Sequence, residues 1–369
     1  MRSRLNRRLL AGVAAAGIGA LVLAGCTGDI ADDGGDVDCA EYEDYGTFEG
    51  ANVTISGTIL DLEADRLVES WSDFASCTGI EIDYQGSSEF EAQIAVLAEG
   101  GNAPDIGIVP QPGLLQRLAA GGWLTPASDP VVANIDEWWD PAWKEYGTVD
   151  GTVYAAPLMA SIKGYIWYSP AEFEENGYEI PTTLDELMEL SETIASDADH
   201  QPWCVGLESG EATGWPGTDW IEDFVLRQAG PEFYDQWVTH EVPFNSPEVV
   251  EAFDAVGEYL KSDEMVNGGI GDVSTQISEA FQTAGLPILD GECSLHHQAS
   301  FYETFWNPEG GDENTVASDG TVFAFLLPPV NADDPQAVTG GGEFPVAFSE
   351  GEEIDAVRAR YKREDVTGR

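Results

Sequence analysis

Positive charge is scarce in this sequence: 15 lysines and arginines stand against 68 aspartates and glutamates. Four of the basic residues (Arg2, Arg4, Arg7, Arg8) sit at the extreme N-terminus and five (Arg358, Arg360, Lys362, Arg363, Arg369) at the C-terminal end. Between them only Arg66, Arg117, Lys144, Lys163, Arg227 and Lys261 remain. Such a surface repels phosphate backbones and anionic head groups, which argues against nucleic-acid and lipid-headgroup binding. The acidity fits a hydrated shell whose self-repulsion is screened by salt. A field that gathers a cationic solute is the alternative. Acidity on this scale also deprives close carboxylate pairs of meaning as catalytic signals, because they arise by chance.

Cysteine is scarce as well, with five residues and no CxxC pair, which argues against structural zinc. His296 and His297 are adjacent, so on a strand their side chains point to opposite faces, and no third ligand is evident. No GxSxG, Walker or HExxH pattern occurs, and no GxGxxG opens a helix. Nothing in the chain demands catalysis, a metal or a cofactor. The apolar stretch Leu9–Leu23 is too short and too rich in glycine and alanine for a confident membrane span.

That stretch follows four arginines and precedes Ala24 and Gly25, so residues 1–25 read as an export signal. Leu23, Ala24, Gly25 and Cys26 resemble the bacterial lipobox, which implies lipidation of Cys26 and a protein held on the outer face of a cell membrane. Residues 26–47 are then the tether, and Thr27–Val37 is too polar to bury apolar surface. The four other cysteines allow three disulfide pairings in an exported protein. Cys39 with Cys77 and Cys204 with Cys293 are favoured, since each pair then lies inside one structural unit.

With 43% hydrophobic residues the body has enough apolar side chain for a large core, divided more naturally into two lobes than one. β-Branched alternation predicts strands at 52–60 and 80–84, and a short apolar run predicts another at 106–109. Helical spacing predicts helices at 63–76, 89–99 and 113–120. This β-α-β-α-β-α order favours a parallel sheet covered on both faces. Val153–Ala156 and Gly164–Tyr168 read as a strand pair around Pro157. Helices are predicted at 183–195 with a cap at Thr182 or Thr183, at 220–228 and at 247–261. Further strands are predicted at 204–207, 286–289 and 321–326.

Five stretches carry a resemblance: Gly79–Gln93; Tyr154–Pro170; Gly206–Asp223 with its ESGEATGWPGTDWIED; GECSLHHQASF at Gly291–Phe301; and Phe323–Phe348 with Gly340, Gly341 and Gly342. In this order, behind a lipobox, they resemble the extracellular solute-binding proteins of ATP-driven importers, in the sugar-binding branch related to maltose and α-glucoside binders. The resemblance implies an α/β, two-lobed periplasmic-binding-protein-like fold of type II, with a cleft between lobes joined by crossover strands. It places lobe 1 at residues 48–160 plus 327–350 and lobe 2 at 161–326. It also implies a monomer that takes a sugar into the cleft and presents it to a membrane permease. The family would continue with further helices where residues 351–369 instead turn basic, so these read as a divergent tail, as a shifted reading frame or early stop would produce, with a true short variant as the alternative.

Sugar recognition needs aromatic faces for the apolar side of the ring and planar polar groups for its hydroxyls. Trp215 and Trp220 stand out, because Pro216, Gly217 and Asp219 place them in a loop before a helix, although both could instead pack beneath the surface. Ser87, Ser88 and Glu89 follow a parallel strand at the ligand-facing edge of an open sheet, where a serine could equally just cap the helix. Gln111 occupies the equivalent edge after the next strand. Lys163 sits at the first crossing between lobes, and the resemblance adds Asp219, Gln298 and Phe301 to the ligand set. A receptor for a cationic solute such as a polyamine, and a surface glycosidase using two carboxylates, are the competing functions.

Overall fold

The computed structural model describes residues 37–198, 200–270, 272–308, 311 and 313–361. The expected signal, Cys26, the polar part of the tether and residues 362–369 lie outside them. The body from Asp38 onward is one compact unit holding two five-stranded sheets.

β1 (Asn52–Gly57) alternates as its sequence requires, burying Val53 and Ile55, and pairs in parallel with β2 (Glu81–Gly86) and β3 (Ile106–Val109). β3 is buried at every position, as a short apolar run between covered faces should be. Helices 61–69, 72–78, 90–99 and 112–120 make the connections. The single helix expected at 63–76 is two, broken at Ser70 and Trp71. The break lets Trp71, 2% exposed, turn edge-on to Tyr84 while Cys77 faces Cys39.

A two-stranded hairpin, β4 (Thr148–Val149) with β5 (Thr152–Val153), precedes β6 (Met159–Ile162), and the chain then enters the second sheet at β7 (Tyr165–Tyr168). The expected pairing of Val153–Ala156 with Gly164–Tyr168 is therefore absent, because the chain changes lobes at Lys163 and Gly164. Ala155 bridges Val346 instead. β8 (Gln201–Cys204), β9 (Val266–Asn267), β10 (Cys293–Gln298) and β11 (Phe323–Leu326) complete that sheet in the order β11-β7-β10-β8-β9. β12 (Gly340–Ala347) returns to the first sheet, which reads β2-β1-β3-β12-β6. Residues 163–164 and 327–339 thus make the two crossings between sheets.

Helix 184–197 is capped by a reciprocal pair: Glu186 N–H donates to Thr183 Oγ1 at 3.2 Å, and the Glu186 carboxylate accepts from Thr182 N–H at 2.7 Å. Helix 215–229 begins five residues before the expected start, with Pro216 in its first turn. Trp203, Trp220, Phe224 and Tyr259 form the aromatic centre of lobe 2. The strand expected at 286–289 is a 3₁₀ turn, since Pro287 has no N–H for a ladder.

Both ends of the described body are more ordered than the sequence reading allowed. Cys39–Tyr45 is a 3₁₀ helix capped by Asp38, with Tyr42 and Tyr45 edge-on to Phe74. Cys39 and Cys77 stand at disulfide distance, Cα–Cα 5.4 Å, as do Cys204 and Cys293 at 5.6 Å. Glu352–Ala359, expected to be part of a divergent tail, is a helix whose Ile354 and Val357 enter the lobe 1 core with Tyr361. Apolar spacing of three accounts for the burial. Arg358, wholly buried, donates to the Tyr154 carbonyl at 2.7 Å.

Candidate functional site

The first crossing and the start of helix 215–229 build the centre of the site. Lys163 Nζ lies 2.9 Å from Asp219 Oδ2, 4.8 Å from the Trp215 ring centroid and 5.9 Å from that of Phe301. Trp215 at the first helical position and Asp219 one turn later face the same side, as helical spacing dictates. Phe281 holds Trp215 edge-on at 5.0 Å, and Phe301 closes the group at 6.0 Å. Burial works against the Lys163 charge, but Asp219 and then Glu343 and Glu222 outweigh it and raise the lysine pKa. The group is an ammonium at all physiological pH. Four of the residues expected in the ligand set are thereby brought together.

Beneath them Asp223 ties the two crossings. It is fully buried and accepts from Thr339 Oγ1 at 2.7 Å, Arg227 Nη1 at 2.9 Å and His297 Nε2 at 2.9 Å. Arg227 also donates to the carbonyls of Leu327, Pro328 and Ala337. Lys163 N–H donates to Thr339 O at 2.9 Å, and Leu327 N–H to Gly164 O at 2.8 Å. Gly164 has φ +71°, and any Cβ there would fall 2.5 Å from Asp223 Oδ2. Burial favours a neutral carboxyl at Asp223, yet the His297 and Arg227 contacts and the Thr339 hydrogen bond win and hold its pKa below the ordinary value.

Lobe 1 contributes the C-terminal edges of β1, β2 and β3, together with β12. Asp61, in the left-handed region at φ 52°, opens the helix that carries Glu63, beside an open depression lined by Ile59, Leu60, Asp61, Tyr84 and Gly86. Burial, then the charge of Glu343, pushes Glu63 up to about 8, and burial pushes Glu343 to about 7 against the pull of Lys163. From lobe 2, Glu222 accepts from the Tyr234 hydroxyl at 2.8 Å, and burial raises its pKa too. Glu63, Glu222 and Glu343 were missed by the sequence reading. In so acidic a chain nothing local marks them.

Other expected residues fall elsewhere. Trp220 is corrected to a core residue: it is 2% exposed, 5.0 Å from Trp203, stacked 4.3 Å from His297 and 6.1 Å from Phe224. Ser87 Oγ accepts from Glu89 N–H at 3.2 Å, a local turn contact, and Glu89 is the residue preceding helix 90–99. Ser88 lies against Gly210 of lobe 2, where an added Cβ would come within 3.0 Å of it. Gln111 is exposed and donates to the Glu91 carboxylate. Gln298 is buried at the end of β10; its Oε1 accepts from Ala299 N–H, and its Nε2 has no partner. His296 bonds the Cys204 carbonyl, and among the described residues no group of three metal-ligating side chains occurs.

One serine, histidine and acid do meet. Ser294 Oγ and Glu172 Oε1 approach the same His200 nitrogen, at 2.8 and 3.5 Å, and Ser294 is fully buried. A nucleophilic triad needs the acid on the other ring nitrogen and an accessible hydroxyl. This cluster has neither and is a structural tie between helix 170–176 and β10.

Two α/β lobes with a polar, aromatic cleft at their crossings define a two-lobed solute receptor. The description "Bacterial extracellular solute-binding protein" matches residues 51–284, and the chain belongs to that family. It is 37% identical over 300 residues to the osmoprotective compounds-binding protein GgtB of Synechocystis, covering 81% of this chain and 69% of GgtB. It is 38% identical over 299 residues to the alpha-glucosides-binding periplasmic protein AglE of Rhizobium meliloti, covering 78% of this chain and 63% of AglE. Maltose-bound MalE3 of T. maritima shares the fold at TM-score 0.64 and 19% identity, over 84% of this chain and 76% of that one.

Proposed function

We propose that this chain is the capture component of an ATP-driven importer for a sugar or oligosaccharide of α-glucoside type. It takes the solute by lobe closure and presents the closed form to a membrane permease. The observation that carries the reading is the Trp215–Phe301–Lys163–Asp219 group at the crossing: aromatic faces suit a pyranose ring, and the charged pair suits its hydroxyls. The unpartnered Gln298 Nε2 offers a further donor. The relative named for α-glucosides supports the same solute class.

The mechanism is a population shift: a solute touching both lobes binds the closed arrangement better and so enriches it. A lipid at Cys26 would hold the monomer on the outer face of the membrane, and the two cysteine pairs at disulfide distance fit an oxidising compartment. The test is thermal unfolding of residues 27–369 with a panel of mono- and oligosaccharides. A melting temperature raised by one sugar, and no longer raised in Trp215→Ala, supports capture at this group. No rise with any sugar defeats the reading, and turnover of aryl glycosides would replace it with an enzyme.

A further inference from the structure

We propose that Lys163 is the resident cation of the cleft: its ammonium fills a cage of aromatic rings and carboxylates that would otherwise take a small cationic solute. The preference for neutral solutes that follows rests on the sugar reading above. The cage itself does not.

Lys163 reaches its place from the first crossing. Its backbone is fixed at the crossing by the bond from its N–H to Thr339 O. Its stem then runs over β12 at Gly341, where an added Cβ would lie 2.7 Å from Lys163 Cε. Only a glycine leaves that lane open. The ammonium ends on lobe 2, against the Trp215 face, with Phe301 farther off and Asp219 in hydrogen-bond contact. Aromatic faces around a carboxylate are the chemistry that recognises ammonium groups, quaternary ones above all. Here the group recognised is part of the chain.

Charge makes the point sharper. Asp219 is the carboxylate in contact with Lys163, Glu343 and Glu222 add to the field at the ammonium, and burial raises the pKa of all three acids, so their ionisation leans on the cation beside them. The side chains of Lys163 and Asp219 are 19% and 12% exposed, so water screens the group only in part. The rings are held by their own neighbours rather than by the lysine, since Phe281 packs edge-on against Trp215 at 5.0 Å and Phe305 against Phe281 at 5.8 Å. Removing the ammonium therefore leaves a formed aromatic recess beside the Asp219 carboxyl, whose pKa burial raises and which an entering cation would hold ionised as Lys163 does. A free cation entering the native cleft meets a position already filled by a tethered one.

The experiment compares wild type, Lys163→Ala and Lys163→Ala/Trp215→Ala by thermal unfolding and calorimetry, using tetramethylammonium chloride with sodium chloride as the ionic-strength control. Lys163→Ala should bind tetramethylammonium at least about tenfold more tightly than wild type, the ratio a partly desolvated cation–π contact supplies, and the double variant should lose it. Equal weak binding in all three chains, or equally tight binding in wild type, overturns the proposal. If Lys163→Ala does not fold cooperatively, tetramethylammonium and not sodium should restore its transition, and failure to do so overturns the proposal as well. Titration of the same mono- and oligosaccharide panel into wild type in parallel separates the two readings: cation binding by Lys163→Ala with no sugar of the panel bound by wild type leaves the cage standing and the sugar assignment fallen.

Discussion

The Thr339 hydroxyl donates to Asp223 Oδ1 at 2.7 Å, joining the returning crossover to a helix of lobe 2 across 116 residues of sequence. The same carboxylate takes Arg227 and His297, so a single buried anion gathers three segments. Replacing it by alanine leaves the Arg227 guanidinium, 1% exposed, without its carboxylate. Asp223→Ala should lose on the order of 3–5 kcal/mol in urea unfolding, and Asp223→Asn less. An unchanged midpoint would show that the knot does not stabilise the fold.

The two tryptophans of helix 215–229 should behave oppositely. Trp220→Ala empties a site among Trp203, Phe224 and Tyr259 and should cost about 3–5 kcal/mol with any ligand response weakened only through the fold. Trp215→Ala, at a partly exposed ring, should cost roughly 1 kcal/mol and abolish the sugar-dependent rise in melting temperature. Equal stability losses in the two variants would contradict the assignment of Trp215 to the cleft.

Buried acid should make stability fall as pH rises. Glu63 and Glu343 hold their protons up to about 8 and about 7 when folded, but release them near 4.5 when unfolded. Between those values the unfolded chain binds fewer protons, so stability declines from about pH 5 to about pH 8. Asp223, held below the ordinary carboxylate range, acts only at lower pH. Glu63→Gln should flatten the decline and gain on the order of 1 kcal/mol at pH 8. Melting curves at constant ionic strength check this, and an unaltered slope in Glu63→Gln would exclude the carboxyl as its source.

Cysteine pairs at sequence separations of 38 and 89 close long loops. If both are oxidised, the chain-entropy model assigns each on the order of 4 kcal/mol. Alkylation of denatured residues 27–369, which carry four of the five cysteines, should add no label before reduction and four labels after it, with a lower melting temperature in dithiothreitol. Labels added before reduction would identify free thiols.

Lobe 1 was readable because its strands and helices alternate locally: Val53 and Ile55, the run at 106–109 and the helices between them declare period and order within a few residues. The pattern Trp220, Asp223, Phe224 also carries a helical repeat that places Trp220 inward, but the glycines before it made a loop look plausible. Trp215 was legible from the proline and glycine beside it, Lys163 from its place at the expected first crossing, and Asp219 and Phe301 only through the resemblance. Glu63, Glu343 and the Asp223–Thr339 bond were not. Their partners lie far off in the chain, and a carboxylate among 68 acidic residues carries no signal of its own.

β12 lies between β3 and β6 in the first sheet and buries Phe344, Val346 and Ala347 there. During synthesis, therefore, that sheet lacks an interior strand until the whole of the second lobe has left the ribosome. The N-terminal portion cannot complete its hydrogen-bonded ladder early, and the long closure slows folding further. The first sheet to begin is thus the last to close, and its core is sealed only when a strand from beyond lobe 2 is laid between β3 and β6.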